Sequence, residues 1–259
     1  MFVAKTVFNF WYLVVIAASV LVCMYNALRL KKVPYFRRIA GLDAIEEAVG
    51  RAAEMGRPIH FCPGTTGLTD TAAAQTFAGL AILGHTTKVA AQMGVPVIVT
   101  IRAPEVLPVA EETVNQAYIA AGKAGSVPPN TVRYAGMQGF ALATYMFAVF
   151  TEEKPAANFL IGNFTAEGIL LAEVGSFGGA VQIAGTARAG NITDFVTACD
   201  YTLIGEELFA GAAYVSNNTA QMGSIQGQDI AKLVTIAVII LGALLKMTGS
   251  AFLDDLMKF

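Results

Sequence analysis

The stretch HFCPGTTGLTDTAAAQTF, residues 60–77, decides the fold class, because an apolar strand pattern passes through a glycine turn into a helix pattern. Cys62 ends the apolar run, and Pro63 to Gly67 turn the chain. Thr69, which precedes Asp70, is the expected N-cap of the helix. Strand, turn and helix in this order are typical of parallel α/β proteins.

The same unit recurs along the middle of the chain. Apolar, β-rich runs occupy 58–62, 95–101, 131–135, 157–161, 180–185 and 200–205. Helical patterns occupy 69–93, 105–122, 138–153, 165–174 and 192–198, and residues 37–57 have helical spacing as well. Continuous apolar strands that alternate with helices indicate a parallel sheet covered on both faces. The sequence therefore predicts an α/β fold with a Rossmann-like parallel sheet of about six strands.

The N-terminal segment Thr6–Leu28 carries no charged residue and predicts an uncleaved membrane anchor. As a helix it reaches about 34 Å, enough to cross the hydrocarbon core. Only Lys5 precedes it, whereas five basic residues follow: Arg29, Lys31, Lys32, Arg37 and Arg38. The positive-inside rule therefore predicts a cell-membrane protein whose N-terminus lies outside and whose main domain is cytoplasmic.

A second hydrophobic segment covers 233–253, although Lys246 interrupts it. A lysine near the end of a span can reach the interface, so the segment is either a second transmembrane helix or a buried core helix. The predicted domains are an anchor over 1–30, a basic segment and linking helix over 31–57, the α/β domain over 58–230, and a C-terminal hydrophobic helix over 231–259.

Composition excludes several classes of function. Charged residues make up only 14% of the 259 residues, against about 25% in soluble domains. The net charge of −2 gives no basic field for nucleic acid. Three cysteines form no CxxC pair, and two histidines form no histidine-rich metal site. The sequence predicts no metal site and identifies no cofactor.

Polar residues that follow the predicted strands form a candidate ligand site, because parallel strands end at one edge of a sheet. The candidates are Gly64, Thr65, Thr66, Gly67, Arg102, Gln138, Asn163, Glu206 and Glu207. The expected ligand is a small anion held by turn N–H groups and arginine. The turn lacks GxGxxG and the lysine of GxxxxGK[ST], so the threonines serve equally well to turn the chain. In that alternative, Arg102 pairs with Glu105 or Glu206. Neither Cys62 nor the glutamates are assigned as catalytic.

The segment GFALATYMFAVF, 139–150, is almost wholly apolar and too short to span a bilayer. A helix that is apolar on every side needs cover on every side, which favours a homo-oligomer with Phe147 at the interface. Deep burial inside the domain is the alternative.

The segments AVQIAGTARAGNITDFV (180–196) and ACDYTLIGEELFAGAAYVSNN (198–218) resemble a family of prokaryotic membrane proteins described only as a domain of unknown function. The resemblance implies a membrane-associated protein and supplies no catalytic residues. The favoured function is a membrane-anchored, homo-oligomeric structural or interaction protein, bound to the lipid bilayer. The alternative is a membrane-bound α/β enzyme or a protein that binds a small anion or nucleotide.

Overall fold

The computed structural model describes residues 3–30, 39–137 and 140–247. The helices are α1 Val3–Leu30, α2 Ala40–Met55, α3 Ala73–Met93, α4 Leu107–Ala120, α5 Ala141–Glu152, α6 Gly168–Phe177, α7 Ala189–Ala198, α8 Glu206–Val215 and α9 Thr219–Met247. The strands are β1 Ile59–Cys62, β2 Val97–Ile101, β3 Val132–Tyr134, β4 Ala157–Ile161, β5 Val181–Thr186 and β6 Tyr201–Ile204. The chain divides into two units, Arg37–Ser216 and the terminal segments Met1–Phe36 with Asn217–Phe259. The predicted domain boundaries at 30, 57 and 230 stay predictions.

The six strands form one sheet in the order β3-β2-β1-β4-β5-β6, and every neighbouring pair is parallel. The predicted α/β class and six-stranded parallel sheet are confirmed. The chain builds outward from β1 to β3, then returns to place β4 on the other side of β1. The edge of the sheet where β1 and β4 end is therefore the point at which the winding direction reverses.

Alternating side chains divide the sheet into two apolar layers. Ile59, Phe61 and Phe159 face the layer covered by α2, α3, α4 and α8. Cys62, Leu160 and Ala184 face the layer covered by α5, α6 and α7. The covered strands are buried throughout β1, β2 and β4, as their largely apolar sequences predict.

A chain of hydrogen bonds crosses four strands inside the α5–α7 layer. The Nε2 of His60 lies 2.8 Å from the Thr100 hydroxyl, and its Nδ1 lies 2.8 Å from Asn158 Oδ1. Asn158 Nδ2 donates to Gln182 Oε1 at 3.0 Å, and Gln182 Nε2 donates to the carbonyl of Ala198 at 3.0 Å. Because Asn158 uses its amide donor toward Gln182, its oxygen must accept, which assigns the proton of neutral His60 to Nδ1.

One sequence prediction about the helices is wrong, and so is one alternative that the sequence left open. Helix α3 begins at Ala73, so Thr69 is not its N-cap; the Asp70 carboxylate instead accepts the N–H of Gly67 at 2.9 Å within the preceding turn. Helix α5 is not buried all round within the chain, because Leu142 and Met146 are buried while Phe147 is 57% exposed.

In the terminal unit, α1 and α9 pack as an antiparallel pair. Gly223 faces Cys23 and Ala27, and Gly227 faces Ser19 and Val20. A Cβ atom on Gly227 would lie 2.5 Å from the Val20 Cα, so glycine permits the close approach of the two backbones.

Two polar contacts fix the register of this helix pair. The Ser19 hydroxyl donates to the Gly227 carbonyl at 3.1 Å, and the hydroxyls of Tyr12 and Thr235 are 2.8 Å apart. By length and composition, the windows Tyr12–Arg29 and Thr219–Ile240 are long and apolar enough to cross a membrane. The second window begins earlier than the segment 233–253 predicted from sequence, of which residues 248–253 lie outside the described residues.

Candidate functional site

The loops that follow β1 and β4 meet at the reversal point of the sheet. The N–H of Thr65 donates to the Asn163 carbonyl at 2.8 Å. Gly64 has φ of +98°, and a Cβ there would lie 2.7 Å from the Asn163 oxygen. Gly162 has φ of +149°, and a Cβ there would lie 2.4 Å from the Pro63 oxygen. Glycine is required at both positions because the two loops contact each other backbone to backbone.

The threonine hydroxyls predicted to bind an anion already have partners within the protein. Thr65 donates to the Asn163 carbonyl at 3.3 Å and accepts the N–H of Thr165 at 3.2 Å. Thr66 accepts from Asn163 Nδ2 at 2.5 Å and is buried, as are Thr65 and Asn163. The N–H of Gly67 donates to the Asp70 carboxylate. An anion bound here has to replace these contacts.

Arg102, which follows β2, is joined to the same edge through the β4 loop. Its Nη1 donates to the Thr165 hydroxyl at 3.3 Å and lies 3.4 Å from Glu167 Oε1. Its Nη2 donates to the Met137 carbonyl at 3.3 Å. The ion partner is therefore Glu167, so the predicted pairing with Glu105 or Glu206 is wrong.

Two buried acceptor atoms, one on the ion partner of Arg102 and one on a residue that contacts Thr165, have no hydrogen-bond partner in the described part of the chain. They are Glu167 Oε2 and Asn191 Oδ1, and each residue is only 4% exposed. Asn191 Nδ2 donates to the Thr165 carbonyl at 3.1 Å and packs against Gly168, the residue after Glu167. Burial raises the pKa of the Glu167 carboxyl, and the charge of Arg102 opposes this effect. The groups that lack partners are acceptors, so the edge is complementary to a hydrogen-bond donor rather than to an anion.

The remaining candidates lie elsewhere or outside the described residues. Gln138 is outside them. Glu206 and Glu207 occupy the first turn of α8, and Glu207 accepts the N–H of Ile204 at 3.3 Å. They follow β6, three strands from β1, which is about 14 Å at the usual strand spacing. Membership of all nine residues in one ligand site stays a prediction.

The buried nucleophile and base candidates are held in unreactive forms. Burial raises the pKa of the Cys62 thiol to about 12, so the thiolate is scarce at neutral pH. Burial lowers the pKa of His60 to about 4, so its imidazole is neutral at pH 7. Among the described residues, no group of three or more His, Cys, Asp and Glu side chains is placed to hold a metal ion.

Sequence reasoning missed Thr165 and Glu167, whose side chains contact Arg102, and Asn191, whose side chain donates to the Thr165 carbonyl. A signal was present for Glu167, because a carboxylate four residues after Asn163 still belongs to the loop that ends β4. Asn191 follows a different strand and gave no signal of its own.

These features define an α/β protein with a six-stranded parallel sheet and two terminal helices of membrane-compatible length and composition. A family model described as a domain of unknown function, DUF6754, matches residues 1–257, and the chain belongs to that family. No curated protein and no solved structure matches the chain. The family prediction is confirmed, whereas its membrane and prokaryotic character stay predictions.

Proposed function

We propose that this protein is a membrane-anchored interaction protein that associates with further copies of itself through its α/β domain. In this proposal the terminal helices lie in the lipid bilayer of the cell membrane, the N-terminus lies outside, and the domain faces the cytoplasm without binding nucleic acid. The basic residues after α1 support this orientation. The strand order supports a Rossmann-like domain, since 3-2-1-4-5-6 is the order of that fold.

The observation that carries the proposal is an exposed aromatic surface on α5 and α6. Phe147 is 57% exposed and Phe177 is 85% exposed, and both line a groove of about 510 Å³ between the two helices. Phe150 and Val174 line the same groove. Burying a phenylalanine side chain is worth about 1.5–3 kcal/mol, so covering this surface gives a second copy a substantial driving force.

A charge on this surface tests the proposal. The Phe147→Glu variant should dissociate the assembly, because an unpaired carboxylate would be buried in the interface. Phe77→Glu is the matched control, since Phe77 is 54% exposed on α3, which packs on the opposite layer of the sheet. Native mass of the detergent-extracted chain is the measurement. A wild-type mass of one protomer, or equal dissociation by both variants, contradicts the proposal.

A second candidate function is the binding of a small ligand at the edge formed by Arg102, Glu167 and Asn191. The two buried acceptors without partners favour a ligand that donates hydrogen bonds, such as one bearing hydroxyl groups. Thermal-shift measurements with adenosine, adenosine monophosphate and inorganic phosphate separate the cases. A shift with adenosine that Glu167→Gln abolishes and Glu207→Gln preserves supports this candidate. A shift with phosphate alone supports the anion site predicted from sequence, and no shift removes the candidate for these ligands.

A further inference from the structure

The register of α1 and α9 places a charged pair of α9 level with the apolar centre of α1. Tyr12 contacts Thr235, Ser19 contacts Gly227, and Gly223 packs on Ala27. Because the two helices are antiparallel, the residue number on α1 falls by about one for each residue gained along α9. Residues 229 and 232 of α9 therefore lie level with about residues 14–21 of α1, near the middle of its charge-free segment.

This register does not allow both spans predicted from sequence to share one bilayer. The segment 6–28 is centred on residue 17 and lies level with about residue 230 of α9, whereas 233–253 is centred on residue 243. The difference corresponds to about 20 Å along a helix. A layer that contains the apolar part of α1 therefore contains α9 over about 219–241, which agrees with the membrane-compatible window Thr219–Ile240.

That layer contains a polar stripe on α9. Its members are Gln221, Gln228, Asp229 and Lys232, and all four are exposed in the single chain. Lys232 Nζ lies 3.2 Å from Asp229 Oδ1. The side of α9 that faces α1 is different, because it is formed by Gly223 and Gly227. Charged side chains inside a bilayer are expensive in contact with lipid, so they face other protein or water.

We propose that this polar stripe packs against the same stripe of a second copy inside the membrane; the proposal rests on the membrane anchoring and self-association proposed above. Asp229 and Lys232 are about 60° apart around the helix and one turn apart along it. When a two-fold axis along the membrane normal relates two copies, the left side of the stripe on one α9 contacts the right side of the stripe on the partner's α9. It thus brings Asp229 of each copy toward Lys232 of the other.

Cysteine cross-linking in membranes tests the stripe. Gln228→Cys, in the full-length chain, should form at least tenfold more copper–phenanthroline cross-linked dimer than Ile230→Cys, with the unsubstituted chain as background. Ile230 lies at similar depth, is also exposed, and points about 160° away from Gln228 around α9. Adding Asp229→Lys to the Gln228→Cys chain should reduce the dimer band severalfold, and the further change Lys232→Asp should restore it.

The outcomes separate this inference from the proposed function. Equal cross-linking at both positions, or no dimer from Gln228→Cys, overturns the stripe. If native mass still gives an oligomer in that case, self-association through the α5–α6 surface stands. A native mass of one protomer overturns both proposals.

Discussion

The buried histidine of β1 makes folding stability sensitive to acid. His60 is fully buried between Thr100 and Asn158, and burial lowers its pKa from 6.5 to about 4. The unfolded chain therefore binds a proton in the pH range 6.5 to 4 that the folded chain does not bind. Stability falls as the pH decreases through this range, because the unfolded state holds more protons.

The magnitude follows from the two pKa values. The difference corresponds to about 3 kcal/mol, which is present in full above pH 6.5 and lost by pH 4. A loss of this size is a large part of the 5–15 kcal/mol that is typical of a folded domain. His60→Gln should be less stable at pH 7, since it disturbs the hydrogen-bond chain, but should lack this part of the pH dependence.

Urea unfolding of the full chain in detergent from pH 7.5 to pH 4 measures the effect. Across this range, the free energy of unfolding of the wild type should fall by about 3 kcal/mol more than that of His60→Gln. His85→Gln is the comparison: burial lowers the pKa of His85 as well, but His85 on α3 is only partly buried and the hydrogen-bond chain stays intact, so this variant should keep most of the pH dependence of the wild type. If the free energy of unfolding depended on pH in the same way for the wild type and His60→Gln, or if NMR showed that His60 titrates near pH 6.5, the reasoning would be refuted.

Three further predictions concern the loop edge, the buried thiol and the membrane orientation. Gly64→Ala should destabilise the fold by about 1–3 kcal/mol in urea unfolding, because its φ is positive and a Cβ would meet Asn163; Gly56→Ala, which meets nothing, should cost less, and equal losses would contradict the loop contact. Cys62 should resist maleimide in the folded chain at pH 7.5 and react once unfolded, since burial raises its pKa to about 12; rapid labelling of the folded chain would disprove this. A cysteine introduced at 126, on an exposed loop, should be protected from an impermeant reagent in intact cells, and labelling there would reverse the orientation.

The strands were predictable because each lies in a short, largely apolar run. The hydrogen-bond chain through His60 was not predicted, although its signal is visible afterwards: single polar residues interrupt four apolar strands. Asn158 and Gln182 stand in register with His60 on neighbouring strands, yet His60 and Asn158 are 98 positions apart in the chain. Strand order alone brings them together, and a pattern local to one strand carries no information about that order.

The candidate site was predictable only in its position at the carboxyl ends of the strands. Thr65 and Thr66 were expected either to bind a ligand or to form hydrogen bonds within the turn. In the structure, both hydroxyls form hydrogen bonds with Asn163 in the loop after β4. The partner of Arg102 was missed because Glu167 becomes its neighbour only when β4 lies beside β1 and β2 lies beyond.

The terminal helices show a similar limit. Hydropathy identified two apolar segments but gave no information about how they align. Gly223 and Gly227 set the register of α9 on α1, and two glycines four positions apart were the available signal. The sequence prediction followed the most apolar residues and therefore chose the C-terminal half of α9 as the membrane segment.

Photobleaching of single fluorophores, one per chain, in carbonate-washed vesicles tests the central claim most directly, because it reports membrane insertion and subunit number together. The account predicts that the full-length chain stays with the vesicles and bleaches in two or more steps, and that Phe147→Glu lowers the number of steps. A chain released by carbonate, or one that bleaches in a single step at every protein density, would contradict a membrane-anchored, self-associating protein.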